Sequence, residues 1–160
     1  MKNMTQKQIM LLIFSIVKME SNFEIEALSH AGAEGLMQLM PRTGQELHSE
    51  TLCGRDYNPY DPDWNILLGS RYIRKLIKRY YGNYKLALVA YNWGMGNLDR
   101  ILNDVRIEFK LGDPSEVSFI RVISRIPRET ETYVKRVSGY FERISKGVWQ
   151  IEAEIPKVNG

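Results

Sequence analysis

The stretch Gln6 to Glu20, QKQIMLLIFSIVKME, constrains this chain more than any other. Apolar residues fall on almost every side of the helix it would form, which predicts a central helix that other elements must cover. Thr5 and Gln8 have the form of a capping box at its start. Its apolar heart, Ile9 to Val17, is about half of the ~20 residues that a membrane-spanning helix needs. Lys2 and Lys7 precede it as basic residues precede an export signal, but Lys18, Met19 and Glu20 stand where small residues would mark a cleavage site. The run is therefore read as a core helix, and an export signal, if the gene encodes one, would lie outside this chain.

The remaining segments supply the cover. Pro41 suits the first turn of a short helix running to about Leu47. Asp61 and Pro62 cap a longer one, in which Trp64, Leu67, Leu68, Ile73, Leu76, Ile77 and Tyr80 form an apolar stripe at helical spacing up to about Tyr81, before Gly82 and Asn83. Tyr84 to Trp93 reads as a mostly apolar helix stopped by Gly94 and Gly96, with two shorter ones expected at Leu98 to Val105 and Pro114 to Ser124. A last long helix begins near Arg128, with Tyr133, Val134, Val137, Tyr140, Phe141 and Ile144 on one face. Gly147 to Ile155 reads as an extended tail, so residues 147–160 form a C-terminal tail of a single domain spanning 1–160. Ser29 to Leu39, with Gly32 and Gly35, reads as a tight loop with room for one small hairpin. The 160 residues are 44% hydrophobic and 26% charged, enough for one mainly α domain with a sizeable core.

A formal charge of +3 favours approach to polyanions: nucleic acid, anionic lipid or an acidic cell-wall polymer. Arg71, Arg74, Lys75, Lys78 and Arg79 share one face of the third helix. They read as a solvated face, because no nucleic-acid motif or interleaved aromatic set accompanies them. Cys53 is the one cysteine, and with only His30 and His48 beside it no disulfide, zinc spacing or Cys/His nucleophile emerges. No metal or cofactor is expected.

Chemistry is concentrated at Glu20. A carboxylate at the C-terminal end of a buried helix is disfavoured by desolvation and by the negative end of the helix dipole, so its pKa should rise. A glutamic acid still protonated near neutral pH is what a general acid needs to protonate a leaving oxygen. Taken alone, an exposed residue at a helix end is the simpler reading; the surrounding motifs change it.

Five blocks occur in order: KMESNF around Glu20 and Ser21, SHAGAEGLMQLMP at Ser29 to Pro41, DPDWNILLGSRYI at Asp61 to Ile73, AYNWGMG at Ala90 to Gly96, and IPRETETYV at Ile126 to Val134. In this the chain resembles the catalytic domain of lytic transglycosylases of the soluble type, within the goose-lysozyme-like group. The resemblance implies a lysozyme-like fold of several helices around a glycan-binding cleft. It implies cleavage of the β-1,4 bond between N-acetylmuramic acid and N-acetylglucosamine in peptidoglycan, with 1,6-anhydromuramyl products. Glu20 matches the family's acid and base. Ser21 matches a residue lining the site, Gln38 and Met40 match groups that contact the sugar bound near the acid, Asn92 a polar residue facing the reacting sugar, and Tyr133 a tyrosine whose hydroxyl lies near the glutamate. Outside the blocks' context each has a plainer reading: Met40 and Tyr133 as core side chains, Gln38 as a loop residue bonded to its own backbone, and Asn92 as a polar helix end.

Ordinary glycosidases flank the bond with two carboxylates. The blocks supply one, and neither Glu34 nor Glu129 matches a second. The resemblance assigns the missing role to the substrate's acetamido oxygen. Two departures stand out: Trp93 and Met95 where the family usually has a small residue and a proline, and Glu131 where arginine or lysine is common. The rivals are a goose-type hydrolytic lysozyme, a non-catalytic peptidoglycan-binding module and a basic nucleic-acid binder. The favoured reading expects a monomer acting on glycan strands in the periplasm or cell envelope, with no nucleic-acid partner and no membrane span in this chain.

Overall fold

A computed structural model describes residues 4–51 and 56–154, with side chains to residue 147. Among these residues it is built of helices: α1 (Gln6–Glu20), α2 (Pro41–Ser49), α3 (Pro62–Arg79), α4 (Tyr84–Trp93), α5 (Met95–Phe109), the four-residue α6 (Phe119–Val122) and α7 (Arg128–Glu154). No helix among them is long and apolar enough to cross a membrane.

Local chemistry explains most boundaries. The capping box closes at α1: Thr5 Oγ1 accepts from the Gln8 amide at 3.2 Å, and the Thr5 amide donates to Gln8 Oε1 at 2.8 Å. Asp61 caps α3 by accepting from the amides of Asp63 and Trp64, and Asn83 caps α4 through Leu86. Gly94, at φ +96°, separates α4 from α5, whereas Gly96 is absorbed into α5, which runs further than expected in both directions. The expected helix at Pro114 to Ser124 is broken: a 3₁₀ turn at Pro114–Glu116, then α6, then a second 3₁₀ turn at Ile123–Arg125. The extended tail expected from Gly147 is corrected, because α7 continues as helix through Glu154.

The centre of the core is a second correction. Met10 is 66% exposed and Phe14 46%, while Leu12, Ile16 and Val17 are buried, so α1 is covered on one side only. The element enclosed on all sides is α4, whose Leu86 to Ala90 are buried without a break among α3, α5 and α7. The other face of α1 lies along α7, its most extensive partner.

Between α1 and α2 the chain folds on itself through isolated antiparallel bridges, Leu28 with Glu34 and Glu34 with Leu39, in place of a regular hairpin. Buried Asn65 of α3 clamps this loop. Its Oδ1 accepts from the Met37 amide at 2.7 Å, and its Nδ2 donates to the carbonyls of Glu34 and Pro59 at 3.0 and 2.9 Å. Gly35, at φ +74°, leaves the space this clamp occupies: a Cβ there would lie 2.3 Å from Asn65 Nδ2 and 2.4 Å from the Pro59 carbonyl oxygen.

Candidate functional site

Helix α1 delivers Glu20 to the floor of a cleft of about 510 Å³, lined also by Met19, Asn92, Arg128, Glu129, Thr132, Tyr133 and Arg136. Three separate elements meet here: the end of α1, the end of α4 and the first turns of α7. Packing of α1 and α4 on α7 brings together residues more than a hundred positions apart.

The Glu20 carboxyl is the perturbed group of the cleft. Burial raises its pKa from 4.5 to about 7, and the Tyr133 hydroxyl works in the opposite direction by steadying the charged form. Enough of the residue still faces the cleft for a ligand to reach it. Tyr133 is itself held well above the ordinary phenol range by burial, then by the charge of Glu20 and by Tyr91. Its hydroxyl is buried, and its contact with Glu20 falls short of a hydrogen bond of good distance and angle. Tyr91 approaches from the α4 side. Its hydroxyl donates to the Met37 carbonyl at 2.7 Å, tying α4 to the clamped loop, and its ring lies 5.3 Å from Tyr72. Burial, then Glu20 and Tyr72, raise its pKa well above the usual value.

Of the residues expected at the site, Asn92 and Tyr133 share the cleft with Glu20; Ser21, Gln38 and Met40 are not among its lining residues. Buried Ser21 caps α1, donating to the Val17 carbonyl at 3.2 Å and accepting from the Phe23 amide at 3.2 Å. Gln38, at φ +47°, spends its amide on the carbonyls of Ala27 and Gly35, at 3.0 and 2.9 Å. Met40 is 46% exposed at the start of α2. Trp93 and Met95, the departures in the fourth block, pack against the main core and do not line the cleft. Glu131 forms an ion pair with Lys135 one turn on.

Sequence reasoning missed Arg128, Thr132 and Arg136. Their spacing of four along α7 is a single helical stripe and could have been read beside Tyr133. Glu129, set aside on motif grounds, also lines the cleft. The basic face of α3 is largely engaged inside the molecule: Arg71 with Thr51, Arg74 with Gln6, Lys75 with Glu50 and Arg79 with Asp99. No group of three or more His, Cys, Asp or Glu side chains among the described residues could hold a metal ion. Cys53 lies outside the described residues. His48 packs between Tyr57 and Trp64, with ring centroids 5.4 and 4.8 Å away.

Seven helices among the described residues, packed so that Glu20 opens into a polar cleft, form a lysozyme-like fold. The Transglycosylase SLT domain family matches residues 2–108, two thirds of the sequence, and the chain belongs to that family. It is 30% identical over 133 residues to the soluble lytic murein transglycosylase of Salmonella typhimurium, covering 79% of this chain and 19% of that protein. It is 39% identical over 83 residues to a transglycosylase of Enterobacteria phage PRD1, covering 52% of this chain and 28% of that one. Among solved structures, an inactive glutamate-to-glutamine mutant of the lytic transglycosylase Slt from Pseudomonas aeruginosa superposes with a TM-score of 0.72 at 32% identity, covering 93% of this chain and 23% of that one. The 70 kDa soluble lytic transglycosylase in complex with bulgecin A superposes with a TM-score of 0.70 at 26% identity, covering 86% and 22%. The chain thus spans less than a third of the length of these relatives.

Proposed function

We propose that this domain is a peptidoglycan lytic transglycosylase that cleaves the β-1,4 bond between N-acetylmuramic acid and N-acetylglucosamine, with Glu20 acting first as acid and then as base. The observation that carries the reading is the pKa of about 7 at a carboxyl that still opens into a cleft. A group with that pKa is protonated often enough to give a proton and, once ionised, basic enough to take one back. The relatives' names point to murein as the polymer, and with it to the periplasm or cell envelope as the place of action.

In this mechanism Glu20 protonates the glycosidic oxygen as the bond to the muramoyl anomeric carbon breaks. The substrate's 2-acetamido oxygen bonds to that carbon, giving a cyclic oxazolinium species. Glu20, now a carboxylate, removes the proton of the muramoyl 6-hydroxyl, whose oxygen attacks the anomeric carbon and expels the acetamido oxygen. The 1,6-anhydro ring closes, and Glu20 is protonated again. Tyr133 steadies the carboxylate between the two proton transfers. In this reading Asn92, which lines the cleft with Glu20, hydrogen-bonds the sugar. The 6-hydroxyl is favoured over water because it is tethered to the reacting residue.

Glu129 on the cleft wall supports a second reading, hydrolysis with this carboxylate activating a water. Mass analysis of peptidoglycan digests separates the two. Transglycosylation gives anhydromuramyl fragments one water lighter than their lysozyme counterparts and without reducing ends. Predominantly reducing muramic acid, lost on Glu129→Gln, would establish the hydrolytic reading instead.

A further inference from the structure

The α7 wall of the cleft carries two guanidinium groups that have no partner among the described residues. Arg128 and Arg136 line the cleft with Glu20, and both are exposed. Elsewhere Arg42, Lys75, Arg79, Arg125 and Lys135 are each engaged by a nearby carboxylate, while Arg100, Arg121 and Arg143, which do not line the cleft, form no ion pair among the described residues. Neither cleft arginine has such a contact among the described residues, and Glu131 is already taken by Lys135.

Helix stability gives no reason for Arg128. It is the first residue of α7, where the helix dipole disfavours a cation, whereas Glu129 and Glu131 in the same turn suit that dipole. Arg128, Thr132 and Arg136 fall at i, i+4 and i+8 on one stripe, which sets the two arginines about 12 Å apart along the helix. Tyr133 lies between them in sequence and shares their cleft. Glu129 is the one exposed carboxylate facing them there, so cations outnumber fixed anions along this wall. An arginine fork binds carboxylates in a planar, two-bond geometry that sugar hydroxyls do not match.

From this arrangement we propose that Arg128 and Arg136 bind carboxylates carried on the muramoyl side chain, making the cleft selective for acidic glycan over neutral glycan of the same backbone. The inference rests on the peptidoglycan reading above and names the part of that polymer which α7 recognises. The carboxylates have two sources: the stem peptide in intact wall, and the free lactyl group in strands stripped of peptide.

Binding is measured on the full chain carrying Glu20→Gln, so the result does not depend on turnover or on which product the enzyme forms. The probes are stem-bearing glycan strands, amidase-treated strands and a neutral chitin oligomer. Arg128→Gln and Arg136→Gln should each weaken binding of an acidic probe about fivefold, and together by roughly twentyfold, with the chitin oligomer unaffected. The lysine variants should recover part of the loss. Weakening confined to stem-bearing strands assigns the contact to the peptide; weakening shared by stripped strands brings in the lactyl carboxylate. Equal weakening for the neutral oligomer, or none for any probe, overturns the proposal. A salt titration of the chain with both arginines intact gives an independent reading: affinity for acidic strands must fall with ionic strength more steeply than affinity for the oligomer. Equal slopes, or no initial preference for the acidic strands, also overturn it.

Discussion

The hydroxyl of Tyr133 reaches the Glu20 carboxyl closely enough to steady its charged form, yet the contact falls short of a well-formed hydrogen bond. Burial and this phenol therefore act on one group in opposite directions, and burial is the stronger. Catalytic hydrogen bonds are often long in the free protein and tighten once substrate is bound. A loose phenol of this kind leaves the carboxyl free to give up its proton and ready to be stabilised once it has.

The elevated pKa of Glu20 makes stability pH-dependent. In the unfolded chain the group ionises near 4.5, and in the folded chain near 7. Its contribution is intact below the lower value, is lost progressively as pH rises between the two, and costs on the order of 3 kcal/mol above the higher one. Glu20→Gln removes that cost. Urea denaturation should find the variant more stable than the wild type at pH 8 and nearly equal to it at pH 4. Equal stability at both pH values would mean that the carboxyl is not buried as described. Wall-lysing activity of the variant should fall at least a hundredfold, since the amide has no proton to give.

Tyr133→Phe keeps the ring and deletes the group that lowers the Glu20 pKa. The limb of the pH–activity profile that reports loss of the acid should move to higher pH, with turnover reduced about tenfold. A shift to lower pH would contradict the sign of the interaction.

Asn65→Ala should cost about 3 kcal/mol, because the change leaves the Met37 amide and the carbonyls of Glu34 and Pro59 without their clamp. For a chain of this size that is a fall of roughly 10 °C in Tm, readable by calorimetry. Gly35→Ala should be at least as damaging, because the Pro59 carbonyl that its methyl meets is backbone and cannot swing aside.

Helix α1 offers a test of its one-sided burial. Leu12→Ala should cost about 2–5 kcal/mol, as expected for a fully buried leucine. Met10→Gln, two positions earlier, should change stability by less than about 0.5 kcal/mol because the side chain faces solvent. Comparable losses at both positions would restore α1 as the enclosed centre of the fold.

The sequence by itself determined what depends on neighbours within a few residues. The Thr5–Gln8 box, the Asp61 cap and the break at Gly94 are local hydrogen-bond and backbone chemistry, and each could be read directly. The same holds for Glu20 as an acid at a helix end, and the ordered blocks pointed to Asn92 and Tyr133 as its companions. Which helix lies at the centre was a matter for tertiary structure. α1 and α4 are both apolar, and hydropathy cannot say which one other helices enclose, so Met10 and Phe14 could only be placed by seeing what fails to cover them. Tertiary structure also decided the use of the Gln38 amide nitrogen and the Ser21 hydroxyl, which were free to serve substrate or backbone and are bonded to nearby backbone groups. The clamp at Asn65 was equally illegible, and so was the cleft into which the Arg128–Arg136 stripe faces, because an asparagine or arginine in a helix takes its meaning from what packs opposite it. That is set by the packing of α1 and α4 on α7 and by the seating of α3 against the loop at Glu34 to Met37, a long-range arrangement that no local spacing records.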